Sequence, residues 1–145
     1  MNPGSAGGAA SLRALLLETG EFLCALPIGR VRQVMRTLQV YPSPGTAPGF
    51  LGLAEFAGEP IPVLDLGRLV GAPAGARPAS PVTVVAWAGP AGHRELVGLT
   101  ADAALEIVEV APDVAGSGRA GVVGGNASVG GRTVRVLDME ALGRP

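Results

Sequence analysis

Apolar residues in this chain fall in short runs separated by turn-forming residues, a pattern that predicts strands rather than long helices. Leu12 to Glu18 and Glu21 to Leu26 flank Thr19-Gly20 and read as one hairpin. Phe50 to Phe56 and Ile61 to Leu64 flank Ala57-Gly58-Glu59-Pro60 as a second. Pro81 to Ala88 and Glu95 to Ala101 flank Gly89-Pro90-Ala91-Gly92-His93 as a third. Leu105 to Val110 and Arg132 to Leu137 add two more strands. Pro27 and Gly29 argue against a long helix after the first hairpin, so Arg30 to Met35 is expected to form a short helix or one turn. Tyr41 to Pro48 is a proline-rich loop, Ala72 to Pro81 a linker, and Pro112 to Gly131 a glycine-rich stretch without a clear assignment.

Two strand ends share a device. Asp65 follows Val63-Leu64 and can accept hydrogen bonds from the unpaired backbone N–H groups of a short helix, Leu66 to Val70, that Gly71 can end. Asp138 follows Val136-Leu137 in the same way, before a helix that Gly143 can end. Such junctions arise by coincidence in β-rich chains, or they mark two similar lobes. Many short strands with turns between them point to barrels or a sandwich.

Composition narrows this picture. Hydrophobic residues make up 48% of the 145 residues but Phe, Trp and Tyr only 3%, so the core is aliphatic. The length suits one domain, or one domain of two lobes, over residues 11–145, with residues 1–10 a disordered lead-in. The net charge is −1, with 11 basic residues, all Arg, against 12 acidic ones. That balance provides no field to attract nucleic acid or an anionic membrane. No apolar stretch is long enough to insert in a bilayer, and Arg13, Glu18 and Glu21 break any secretory pattern. With a single cysteine, Cys24, in an apolar run, a reducing cytoplasmic setting is expected.

Candidate chemistry is sparse. Gly116 to Gly121 matches GxGxxG, but Pro112-Asp113 precedes it and Val122-Val123-Gly124-Gly125 follows, so no helix begins there to meet a pyrophosphate. One histidine (His93, at a hairpin tip) and one cysteine cannot build a Cys/His zinc site or a triad. Asp65 and Asp138 stand where caps belong, and Asp102 either pairs with an arginine or caps a turn. Arg30, Arg32 and Arg36 form either a solvated face or a rim around Val31 and Val34. Trp87 is expected to pack in its strand. No cofactor, metal or catalytic residue is expected.

Phe50 to Leu66, FLGLAEFAGEPIPVLDL, resembles the "GlinLRGxiiPViDL" signature of the CheW family of chemotaxis adapters. Phe22 to Val34 is similar to the family's "yaidi..V.ev" segment, with Val31 and Val34 at the apolar positions. Gly98 to Asp102 and Glu106 to Val108 resemble its "G..vD.v..v", so the likeness runs from Leu12 to Leu142. It implies an all-β fold of two SH3-like five-stranded β-barrels around a shared core. It also implies a non-catalytic adapter in receptor clusters, coupling the cytoplasmic tips of chemoreceptors to the regulatory domain of a CheA-type histidine kinase, with other CheW-like domains as further partners.

The resemblance places binding on Val31, Gln33 and Val34 of the expected short helix and on Leu53, Ala57 and Gly58 at the signature turn. Ala57 stands where the family commonly has Arg, and Gln33 where Glu is common. Losing a buried charge-assisted contact costs roughly 1.5–3 kcal/mol, or about 10- to 150-fold in affinity. The departure therefore opens an alternative, a regulator that competes for or caps one array interface.

Overall fold

Each apolar run read as a strand forms one. The computed structural model describes residues 11–36, 38–45, 49–72, 81–111 and 121–142. Its strands are β1 (Leu12–Thr19), β2 (Phe22–Pro27), β3 (Val31–Met35), β4 (Tyr41–Pro42), β5 (Phe50–Phe56) and β6 (Glu59–Asp65). They continue with β7 (Val82–Ala88), β8 (Glu95–Ala101), β9 (Ala103–Val110), β10 (Val123–Val129) and β11 (Arg132–Leu137). Single-turn helices α1 (Leu66–Leu69) and α2 (Met139–Leu142) follow β6 and β11. The lead-in 1–10, most of the linker, all of GxGxxG but Gly121, and Gly143 lie outside the described residues.

The short helix expected at Arg30 to Met35 is corrected. Ile28–Arg30 makes one 3-10 turn and Val31–Met35 is β3, paired antiparallel with β7. Two β-branched valines in five residues fit a pleated ladder, and so short a segment gains little as an isolated helix. The glycine-rich stretch holds a strand that its composition hid, β10.

The strands form two sheets, ordered β10-β11-β2-β1-β9 and β3-β7-β8-β6-β5-β4. Apart from β4, the two orders are the same arrangement. In both, an outer hairpin (β10–β11, β5–β6) joins a parallel neighbour (β2, β8), then an antiparallel strand (β1, β7), then an outer strand (β9, β3). One sequence offset, that from Asp65 to Asp138, carries β2, β3, β5, β6 and α1 onto β8, β9, β10, β11 and α2. The ladder irregularity at Phe50/Gly52 recurs at Val123/Gly125, with Gly52 at φ +152 and Gly125 at φ +155. A Cβ on Gly52 would run into the Tyr41 carbonyl. Asp65 N–H donates to Gly49 O at 2.8 Å, and Asp138 N–H to Val122 O at 2.7 Å. The echo in the sequence is thus one visible part of a repeat that spans each half.

The halves exchange a hairpin, β1–β2 sitting with β9 to β11 and β7–β8 with β3 to β6. β3 follows β2 in sequence but ends the sheet of β7, and β9 follows β8 but ends the sheet of β1. Each crossover is pinned to the other sheet's hairpin turn. Arg30 donates to Gly89 O at 2.9 Å and to Trp87 O at 3.4 Å. Asp102 accepts from Gly20 N–H at 2.8 Å, so of the two roles open to it, turn capping is the one observed.

Three apolar clusters explain why β1, β2 and β7 read as near-continuous apolar runs. Leu16, Leu23, Val134 and Val136 pack on one side of the five-stranded sheet, and Ala54, Phe56, Ile61 and Val63 on one side of the six-stranded sheet. Leu15, Leu17, Cys24 and Leu26 meet Val84, Ala86, Val97 and Leu99 between the sheets. Alternate residues of one strand thus serve different clusters, and both faces are covered. Each sheet curls: the outer strands β9 and β10 approach within 8 Å between Cα atoms, and Arg32 of β3 lies 5.5 Å from the Phe56 ring of β5.

The repeat supplies an internal control for one strained residue. Ala57 and Gly58 turn β5 into β6 at φ +51 and +82; Gly130 and Gly131 turn β10 into β11 at φ +57 and +80. An L side chain in this left-handed region costs roughly 1–2 kcal/mol. Ala57→Gly should therefore raise stability by about 1 kcal/mol, and Gly130→Ala should lower it by about as much. Thermal melts should move by about 2–4 °C in opposite directions.

Candidate protein-interaction surface

The residues that the sequence nominates for binding sit at two places on the six-stranded sheet. Val31, Gln33 and Val34 lie on its outermost strand, β3. The register sets Val31 opposite Ala86 and Val34 opposite Val84, so both valines share the face that packs on the first sheet. Val31 is half-buried against that inter-sheet core, whereas Val34 extends beyond its cover and is 42% exposed. Gln33 is exposed.

Leu53, Ala57 and Gly58 lie on β5 and at its turn. Along β5, Gly52, Ala54 and Phe56 are buried while Leu53 and Glu55 point outward. Leu53 sits between Tyr41 of β4 and Pro62 of β6, and it lines a shallow hollow with Tyr41, Glu55 and Pro60. In the ladder β7, β8 and β6 separate this group from β3. β3 nevertheless meets β5 through Arg32 over Phe56, next to the turn, and through Met35 against the cluster that holds Phe56. The fold therefore keeps the nominated residues as two patches joined at one end.

Other exposed apolar residues escaped the sequence reading. Tyr41, in the proline-rich segment expected to be a loop, lies in β4 and is 57% exposed beside Leu53. Leu105 and Ile107, 45% and 49% exposed, were read only as part of a strand. Their alternation with Glu106 was the available signal, but alternation does not distinguish an edge from a covered strand. A separate groove of about 520 Å³ runs between α1 and β10–β11, lined by Leu69, Val70 and Val123 with Arg68, Arg135 and Asn126. The Arg135 guanidinium stacks 3.7 Å from the Phe22 ring.

The remaining candidate chemistry resolves into structure. Asp65 accepts from Gly67 N–H at 3.0 Å, and Asp138 from Glu140 and Ala141 N–H at 3.1 and 3.3 Å, so both act as helix caps. His93 is exposed in the β7–β8 turn, and Trp87 is half-buried in β7. Arg30 is committed to the β7 end, with Glu140 3.9 Å away, while Arg32 and Arg36 are exposed. Among the described residues no cluster of His, Cys, Asp and Glu is arranged to hold a metal, and no helix is long and apolar enough to cross a membrane.

A model of the CheW-like domain matches residues 13–144 of this chain. Its fold is similar to that of the scaffolding protein TtCheW from Thermoanaerobacter tengcongensis, with a TM-score of 0.72 at 19% identity. That similarity covers 88% of this chain and 89% of the other. No curated protein matches the sequence.

Cys24, buried between the sheets, has its thiol pushed up from 9.0 to about 12, by desolvation first, with Arg135 pulling weakly the other way. The folded state thus holds this proton where the unfolded chain releases it, so stability falls as pH rises from about 9 towards 12 and is unaffected below. Chemical unfolding should show the wild type losing up to about 1.4 kcal/mol per pH unit in that window relative to Cys24→Ala. At pH 8 the native thiol should resist alkylation until the protein unfolds.

Proposed function

The chain belongs to the CheW-like family of non-catalytic chemotaxis scaffolding domains, and on that premise we propose that it couples chemoreceptors to a CheA-type histidine kinase. In this reading it works in the cytoplasm, within receptor clusters. An apolar surface beside the inter-sheet seam takes the helical receptor tip, and a sheet edge meets the kinase regulatory domain. The observation that carries the reading is the pair of solvent-facing aliphatic residues Val34 and Leu53, at positions the resemblance nominates, the first on an outer strand and the second between the buried Gly52 and Ala54. Exposed apolar side chains of this kind contribute roughly 1.5–3 kcal/mol each when a partner buries them fully. Gln33 supplies a polar border, and the Ala57-Gly58 turn offers a backbone that a partner can approach closely.

One feature favours a second reading. At the signature turn Ala57 presents only a methyl group, held at φ +51, where the family pattern has a guanidinium fork. A chain that keeps one interface and weakens another would cap or compete within an array instead of bridging it.

Val34→Asp should abolish recruitment to receptor clusters while leaving the thermal melt within about 1 kcal/mol of wild type, since the site is exposed. Unchanged clustering by the folded variant would refute this placement of the contact. Added to reconstituted receptor–kinase assemblies, a coupling adapter raises kinase activity and a competitor lowers it. Pull-downs with receptor tips and with the kinase regulatory domain report which interface is kept.

A further inference from the structure

The groove between α1 and the β10–β11 hairpin contains none of the residues nominated for binding. One wall comes from the helix that follows the six-stranded sheet, the other from the five-stranded sheet. Its volume, about 520 Å³, is in the range of small-molecule sites. Leu69, Val70 and Val123 give it an apolar lining, and Arg68, Asn126 and Arg135 line it as well. Among the described residues no carboxylate lines the groove or forms an ion pair with either guanidinium. Arg135 is held by its face, 3.7 Å from the Phe22 ring, which keeps the N–H edge of its fork available.

The internal repeat distinguishes what the fold requires here from what it does not. The offset that relates Asp65 to Asp138 sets Leu69 on Leu142 and Val123 on Phe50, so these positions are apolar in both halves. The same offset sets Arg68 on Ala141, and the cross-strand pair Asn126–Arg135 on the cross-strand pair Leu53–Pro62. The equivalent corner forms without any of the three polar groups, so closing the fold is not their task.

We infer that this groove binds a small amphiphilic carboxylate, its aliphatic body against Leu69, Val70 and Val123 and its carboxylate held by Arg68 and Arg135, with the Asn126 amide as a further donor. Charge complementarity selects this occupant. A guanidinium fork matches the two oxygens of a carboxylate, and such charge-assisted bonds are the strong ones. A neutral ligand would leave both cations without a partner, and a small hydrated anion would leave the apolar lining uncovered. The ligand touches the helix of one sheet and the hairpin of the other, so occupancy ties the two together. The inference goes beyond the adapter reading and does not rest on it.

Octanoate is the probe, titrated into the isotope-labelled full chain below its micelle concentration and followed by amide NMR. Saturable shifts are expected at Leu69 and Asn126 and not at Leu142 and Leu53, their equivalents in the other half. Octanol has the chain without the charge and acetate the charge without the chain; each should bind at least about tenfold more weakly. Arg68→Gln and Arg135→Gln should each weaken octanoate binding about tenfold or more. Arg68 is exposed, so its variant should keep the fold even where that of the stacked Arg135 is perturbed, and thermal melts of both check this. No saturable shift, shifts centred on Leu53, octanol binding as tightly as octanoate, or a folded Arg68→Gln variant that binds as wild type does would each overturn the inference. Receptor-cluster recruitment of the same variants reports on the adapter reading separately.

Discussion

Burial of two sheets against one another, through Leu15, Leu17, Cys24 and Leu26 on one side and Val84, Ala86, Val97 and Leu99 on the other, is the contact on which everything else rests. The strands that supply these residues also line each sheet's own cluster with their alternate positions. Loss of the inter-sheet contact would bare one face of each central strand. A cavity there is therefore felt in all three clusters, because interiors at crystal-like density transmit strain. The small complement of aromatic residues is consistent with this design, since aliphatic side chains of similar size fill three thin layers more evenly than a few large rings.

The hairpin exchange adds a second constraint. Because the hairpins β1–β2 and β7–β8 each sit among strands of the other half, neither sheet is assembled from one half of the chain. The pins at the crossovers use opposite chemistry, a guanidinium on turn carbonyls at Gly89 and Trp87 and a carboxylate on the turn amide at Gly20. Each fixes an outer strand at the mouth of the inter-sheet seam. The pins hold the first residues of β3 and β9, and the exposed Val34 and Ile107 lie further along each strand.

Much of this was legible in the sequence. Turn residues marked the hairpins, and Asp65 and Asp138 marked the helix starts. β3 was misread because its ladder partner lies far along the chain, and five residues of mixed propensity carry no local sign of it. β10 was hidden by Gly124 and Gly125, of which Gly125 serves the ladder irregularity. Only the Val-Leu-Asp corner betrayed the repeat, since the rest is conserved between the halves as geometry and burial rather than as residue identity. Ile107 and Leu105 went unnoticed because exposure at a sheet edge is decided by what packs alongside.

The exchanged hairpins also bear on how the chain is made. When β3 leaves the ribosome its ladder partner, β7, has not been synthesised, and β1 must wait for β9. At about 5–20 residues per second the first half passes several seconds with unpaired strand edges. During that interval the open edges of β1 and β3 are templates on which other extended strands can pair.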